Sequence, residues 1–179
     1  MNGADQAVSV VTGALFATSP DLAWDGLLLF EQVDGRPPLP LRLLLPDPAR
    51  AEGRRSRVGD ETRCLYRQGH LLKRVTEIER FRRCRFDVIE QQLEIVGGIR
   101  LLGGSYTLTA LTEQSTRIEL ETRYVSPRRP RLFWAPIEST VCHAFHRHIL
   151  AAMRREIELR TALKTLAPAL PEGEGGALP

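Results

Sequence analysis

Residues 141–150, VCHAFHRHIL, hold three of the chain's four histidines, His143, His146 and His148, with Cys142 directly before them. Imidazole and thiol are the side chains that most readily bind a transition metal or carry a proton near neutral pH. The cluster therefore admits three readings: a metal site, an acid–base centre, or part of a packed helix. Helical geometry sorts them. At about 100° per residue, Cys142, His146, Ile149, Met153 and Ile157 make one stripe with Val141 and Phe145 beside it, while Arg147, Arg154 and Glu158 lie opposite. His143 and His148 fall on the two margins of that stripe, about 140° apart, and do not converge on one ion. A zinc-binding pair on a helix needs both ligands on one face and a neighbouring glutamate, as in HExxH; neither HAFH nor HRH reproduces this. Cys142 and His146 are an i, i+4 pair, but no second His/Cys cluster exists to complete a coordination sphere. Neither a metal nor a cofactor is expected. His146 alone sits inside the apolar stripe, where it either completes the hydrogen bonding of a core or lines a cavity as a neutral donor and acceptor.

The segments around the cluster decide what faces it. AVSVVTGALF at 7–16 is rich in β-branched and apolar residues and predicts an opening strand. In SPDLAWDGLLLF a helix follows: Ser19 is its N-cap, Pro20 its first residue, Asp21 favours the positive end, and Leu22, Trp24, Leu29 and Phe30 supply the apolar side. Residues 34–57 carry five prolines and end in a basic stretch, which predicts a long irregular connection with one short apolar element. Runs of about ten residues broken by QG, GG and EQS then predict strands near 58–67, 70–80, 83–93, 99–111 and 115–125. A long amphipathic helix runs from Phe133 or Pro136 to Leu166, and the proline- and glycine-rich tail 167–179 is expected to be disordered.

Successive strand side chains point to opposite sides of a sheet. Ile118, Leu120, Thr122 and Tyr124 therefore share one face of the last strand, and Arg117, Glu119, Glu121 and Arg123 the other. The same alternation groups Tyr106 with Leu108 and Ala110, Phe86 with Val88, and Cys64 with Tyr66, so all three tyrosines face inward. A buried tyrosine needs a partner for its hydroxyl, and three on one concave face call for internal partners or a partly wet cavity. The alternative is a solid core with the hydroxyls at its rim. The apolar stripe of the closing helix must be covered, and this one-sided sheet is the surface available to it.

Bulk properties narrow the function classes. At 179 residues and 42% hydrophobic the chain suits a single domain with a sizeable core, taken here as 1–166. Only Lys73 and Lys164 are lysines, so the net charge of +3 rests on arginine. RRSR at 54–57, RRCR at 82–85 and RRPR at 128–131 are dispersed and interrupted by acids, which reads as a solvated surface and not as a nucleic-acid footprint. RRPR stands beside Leu132, Phe133 and Trp134, a combination suited to transient contact with an anionic membrane. No stretch approaches the roughly 18–20 apolar residues of a membrane span, and MNGADQAVSV lacks the basic start of a secretory signal, so a soluble cytoplasmic protein is expected. Three widely spaced cysteines without CxxC give no disulfide framework. There is no GxSxG elbow, phosphate loop or dinucleotide fingerprint, and the glycine pairs at 97–98 and 103–104 read as turn and bulge residues.

The element order resembles the START-like superfamily, also called SRPBCC or helix-grip proteins, over about residues 5–165. The marks are the Pro and Trp of SPDLAWDGLLLFE, VGDETRCLYRQGHLLKRVTEIE running into FDVIEQ, the GGSYTLTAL strand, TRIELETRYVSP, and the helix around FHRHIL. It is most similar to bacterial polyketide-cyclase-like members. The resemblance implies an α+β fold in which a curved antiparallel sheet wraps the long C-terminal helix, with a ligand cavity between them. Two short helices and six following strands are usual there; here one helix and five strands are read, and LPLRLLL at 39–45 is the available sixth. The residues read as facing such a cavity are Tyr66, Phe86, Tyr106, Leu108, Leu120 and Tyr124 from the sheet and Cys142, His146, Ile149 and Met153 from the helix, with Trp134 near the helix entrance. Two functions fit: carriage of a small hydrophobic ligand such as a lipid, isoprenoid, quinone or polyketide-like molecule, or a cyclase/dehydratase using His146 with Tyr106 or Tyr124 for proton transfer. Glu77 and Glu90 are further carboxylates, with surface positions their default.

Overall fold

Alternation along the strands decides the architecture. In β7 (Ser115–Val125) Thr116, Ile118, Leu120 and Tyr124 are buried, with Arg117 exposed and Glu119, Glu121 and Arg123 only partly covered. The computed structural model describes residues 7–28, 48–53, 56–95 and 97–166, with side chains to Arg160. Along these run β1 (Val8–Phe16), α1 (Pro20–Leu28), β2 (Pro48–Gly53), β3 (Glu61–Tyr66), β4 (Gly69–Glu79), β5 (Arg83–Gln92), β6 (Arg100–Thr112), β7 and α2 (Arg131–Leu166). The strands form one sheet in the order β1-β7-β6-β5-β4-β3-β2, and every neighbouring pair is antiparallel.

Several sequence expectations are corrected. The strand expected at 58–67 begins only at Glu61, because residues 56–60 form a turn in which Asp60 accepts hydrogen bonds from the Ser56 and Arg57 amides at 2.9 and 3.0 Å. The sixth strand after α1 is Pro48–Gly53, an edge strand, where a proline costs no ladder hydrogen bond. LPLRLLL lies outside the described residues, as do Leu29, Phe30 and the tail 167–179. The long helix starts at Arg131, ahead of both expected starts. The amides of Phe133 and Trp134 reach the Pro130 carbonyl at 3.2 and 3.3 Å, so a turn is already wound before Pro136. Proline at 136 leaves unused only a carbonyl near the exposed first turn.

The glycine pairs act as expected of turns and bulges. Gly97 and Gly98 have φ of 89° and 72° in the loop before β6. Gly103 has φ 150° at the point where the β6–β7 register shifts, and a side chain there would run into the Phe86 carbonyl of β5. Only glycine permits that close approach.

The closing helix packs chiefly on β1, with α1 and β7 beside it. Leu150, Ala152, Met153 and Ile157 enter a closed core with Phe16, Ala23, Trp24, Leu27, Leu108 and Ile118. His146 belongs to the same side. Its ring is fully buried, with Nδ1 2.9 Å from the Thr12 hydroxyl of β1 and Nε2 2.8 Å from the Thr122 hydroxyl of β7. Both nitrogens are thus partnered by neutral groups. Burial first, and the neighbouring His143 second, push its pKa down to about 4.

Two outcomes follow from this packing. Met153→Ala should cost about 2–5 kcal/mol in denaturant unfolding, whereas Leu132→Ala, at a residue 92% exposed, should stay within about 0.5 kcal/mol. The unfolded His146 imidazole takes up a proton near pH 6.5, while the folded one resists until about pH 4, so between these values the unfolded state binds more protons. Stability contributed by the neutral ring is therefore full above that window and falls as pH drops through it, by on the order of 3 kcal/mol. In His146→Gln this part of the pH slope should vanish; a slope equal to that of the unaltered protein would contradict the assignment.

Candidate functional site: a cavity between sheet and helix

Where α2 stands away from the middle of the sheet, the space beneath it remains open. The cavity measures about 230 Å³. Its sheet side is built from Tyr66 of β3, Leu71 and Lys73 of β4, Phe86 and Val88 of β5, Leu101, Gly103 and Tyr106 of β6, and Leu120, Thr122 and Tyr124 of β7. Leu93, Ile95 and Ile99 close one edge from the β5–β6 connection. The roof is the α2 row Trp134, Ile137, Glu138, Val141, Cys142, Phe145 and Ile149, whose spacing of three and four keeps it on one side of the helix. Nearly all of this wall is hydrocarbon or aromatic ring, and Phe86 and Tyr106 pack with ring centroids 6.0 Å apart.

Polar groups occur at a few fixed points. The Lys73 ammonium lies 4.8 Å from the Phe86 ring centroid, beside Tyr66. Burial pushes the Tyr66 phenol up to about 12, with Lys73 acting in the opposite sense. Near the start of α2, Glu138 accepts a hydrogen bond from Ser126 at 2.6 Å and pairs with Arg131 at 2.8 Å, and the Arg128 guanidinium stacks over Trp134 at 4.1 Å. Burial, reinforced by Glu138, pushes Tyr124 up to about 12, and burial pushes the Cys142 thiol up to about 11. The phenols and the thiol therefore stay protonated near neutral pH, and Cys142 has none of the thiolate character of a nucleophile. The wall offers hydrogen-bond donors and apolar surface.

Eight of the residues read as cavity-facing line it: Tyr66, Phe86, Tyr106, Leu120, Tyr124, Trp134, Cys142 and Ile149. Three do not. Leu108 lies further along β6 under α1, and Met153 lies two turns beyond Phe145 where α2 closes onto α1 and β1, so both are in the solid core. His146 turns toward β1 and β7 and stands behind Thr122 and Cys142, 2.8 and 3.5 Å from their Oγ1 and Sγ atoms. Its face of the helix was read correctly; the stripe is wide enough that one margin meets the cavity and the other meets β1.

The carboxylates fall elsewhere. Glu90 is 3.2 Å from His70 and bonds Gln92 at 2.6 Å, Glu77 is 4.0 Å from Arg83, and neither lines the cavity. His143 and His146 do meet, across the Thr12 hydroxyl, with Thr12 2.7 Å from His143 Nδ1. No group of three or more His, Cys, Asp or Glu is placed to hold a metal ion among the described residues. Lining residues missed by the sequence reading are of two kinds. Leu71 and Lys73, or Ile137, Val141 and Phe145, had a signal in strand or helix periodicity. Leu93, Ile95 and Ile99 come from an irregular connection, which has none.

The sequence matches no protein-family model and no curated protein sequence. Solved structures do resemble it. A Staphylococcus aureus protein of unknown function superposes with a TM-score of 0.62 at 14% identity, covering 90% of this chain and 99% of that one. Norcoclaurine synthase from Thalictrum, in complex with a transition-state analogue, gives 0.59 at 12% identity over 87% and 97% of the two chains. A START superfamily protein from Mycobacterium smegmatis gives 0.58 at 11% identity over 84% and 97%. At such low identity the likeness concerns the fold, and the seven-stranded antiparallel sheet closed by one long helix is what these chains share. The chain therefore has the START-like, helix-grip fold.

Proposed function

We propose that residues 1–166 form one binding domain that carries a small hydrophobic molecule in the cavity under α2, working as a soluble protein of the cytoplasm. The observation that supports this is an apolar cavity with few polar neighbours: protonated donors, the Glu138 carboxylate paired with Arg131, and the Lys73 and Arg128 cations set against the Phe86 and Trp134 rings. Pockets for drug-sized molecules run to roughly 300–1,000 Å³, so about 230 Å³ suits a compact ligand of one or two rings or a short chain. A long isoprenoid or lipid tail would have to protrude. The cyclase/dehydratase reading assigned proton transfer to His146 with Tyr106 or Tyr124; because His146 does not reach the cavity, direct contact with a substrate is not part of the proposal.

A surface beside the cavity supports a loading route. Leu132 is 92% and Phe133 60% exposed, Arg128 and Arg129 precede them, and Trp134 and Ile137 of the same turns line the cavity. We include in the proposal a transient contact of this turn with an anionic bilayer. No helix among the described residues is long and apolar enough to cross a membrane.

Titration with the fluorescent hydrophobe N-phenyl-1-naphthylamine tests the cavity. Saturable one-to-one binding is expected, and Val141→Phe or Ile149→Trp, which fill the space, should weaken it by about tenfold or more; equal affinity in both filled variants would sink the reading. For the loading route, flotation with phosphatidylglycerol vesicles should capture the protein at low salt and release it near 1 M, where screening extends only about 3 Å. Leu132→Asp should lose capture, and capture indifferent to both salt and this change would contradict the bilayer contact.

A further inference from the structure

The start of α2 gathers more cations than acids. Glu138, buried in the cavity roof, engages Ser126 with one oxygen at 2.6 Å and Arg131 with the other at 2.8 Å. Arg128 lines the same end of the cavity without such a partner. Among the described residues its side chain makes no hydrogen bond and no ion pair; only its backbone amide and carbonyl are bonded, to Ser126 and Arg129. A guanidinium stays charged at every accessible pH and carries five N–H donors. Half-buried in an apolar wall with no acceptor, it calls for an anion.

What holds the group in place leaves its donors unused. The guanidinium lies over the Trp134 ring, 4.1 Å from the centroid, and Phe133 packs edge-on against Trp134 with centroids 5.4 Å apart. On the other element it rests against Gly97, where φ is 89° and any side chain would run into Nε and Nη2. Stacking on a ring engages the face of a guanidinium, whereas its N–H donors lie in the plane. The fork is thus fixed before a ligand arrives. It stands at the seam between the roof residue Trp134 and the connection that carries Ile95 and Ile99, all of which line the cavity.

We infer that Arg128 is the recognition residue of the cavity and that its ligand class is a compact hydrophobic carboxylic acid, bound as the carboxylate. The inference rests on the hydrophobe-binding reading and names its ligand. The two carboxylate oxygens accept paired N–H donors of the fork, and the apolar body extends under α2. A neutral molecule of the same shape leaves the cation unpaired. A lipid phosphate offers the same two-oxygen edge, but about 230 Å³ does not hold two acyl tails, so the cavity selects the small acid.

The test sets 2-naphthoate against 2-naphthamide, alike in shape and different in charge, as displacers of N-phenyl-1-naphthylamine from the full-length protein near neutral pH. The acid should act at a concentration at least about tenfold lower than the amide. Arg128→Gln should bring that ratio near one, and Arg128→Lys should restore only part of it, since an ammonium lacks the fork. Arg100→Gln, at an exposed arginine off the cavity, should leave the ratio unchanged. If Arg128→Gln does not fold, Gly97→Ala, whose methyl displaces the guanidinium, should show the same fall. A residue that only buttressed α2 would weaken acid and amide alike and leave the ratio as it was. Equal displacement by the two, displacement by neither, a ratio kept in Arg128→Gln, or a ratio lost equally in Arg100→Gln overturns the assignment and leaves the cavity reading standing. A kept ratio with lost capture by phosphatidylglycerol vesicles in Arg128→Gln assigns the guanidinium to the bilayer and overturns it as well. Failure of N-phenyl-1-naphthylamine itself to bind overturns both.

Discussion

One helix cannot cover the concave face of a seven-stranded sheet. The inner sides of β4, β5, β6 and β7 present apolar residues across a width that α2 meets closely only near β1, β7 and α1. Along that flank Leu150, Met153 and Ile157 close into solid core, and a solid core contributes both transfer free energy and packing contacts. Over the middle strands the helix bridges instead of packing. The cavity is the geometric remainder, and its apolar lining follows from the same alternation that builds the sheet.

A helix that roofs a cavity has less apolar contact to hold it there, and two buried polar ties of α2 fall in the roofing stretch. Glu138 is bound by Ser126 and Arg131 near the start, and His146 is held between Thr12 and Thr122 further along. Each tie is buried and partnered, as a polar group removed from water must be. The Glu138 carboxylate is the costlier case; its side chain is only 5% exposed, and the ion pair with Arg131 offsets the desolvation of a buried charge. His146 avoids that cost by staying neutral. The ties on either side of the cavity thus use different chemistry for the same mechanical end.

Much of the fold was legible because period-two and period-3.6 patterns report burial directly. The register of β7 between β1 and β6 places Leu120 opposite Thr12 and Tyr106, on the face its alternation assigned. What alternation does not encode is where along a strand the helix lifts away. Leu108 and Tyr106 are two residues apart on one face of β6, yet one is sealed under α1 and the other borders the cavity. The same limit misplaced His146 and Met153 on the helix side, since a stripe more than 100° wide has one margin over the cavity and another over β1. β2 was missed for a different reason. PARAEG has no hydrophobic period, and as an edge strand it is held by hydrogen bonds to β3 alone. The meeting of His143 with His146 depended on Thr12, more than a hundred residues away, and no local pattern signals such a contact.

The central claim is that the space under α2 is a ligand site and not a packing defect. The most direct measurement is a crystal structure of the protein grown with N-phenyl-1-naphthylamine. The account predicts density for the probe among Phe86, Tyr106, Phe145 and Ile149, with the α2 backbone where it stands now. Density only on the outer surface, with Phe145 and Ile149 collapsed onto Tyr106 to fill the space, would contradict it.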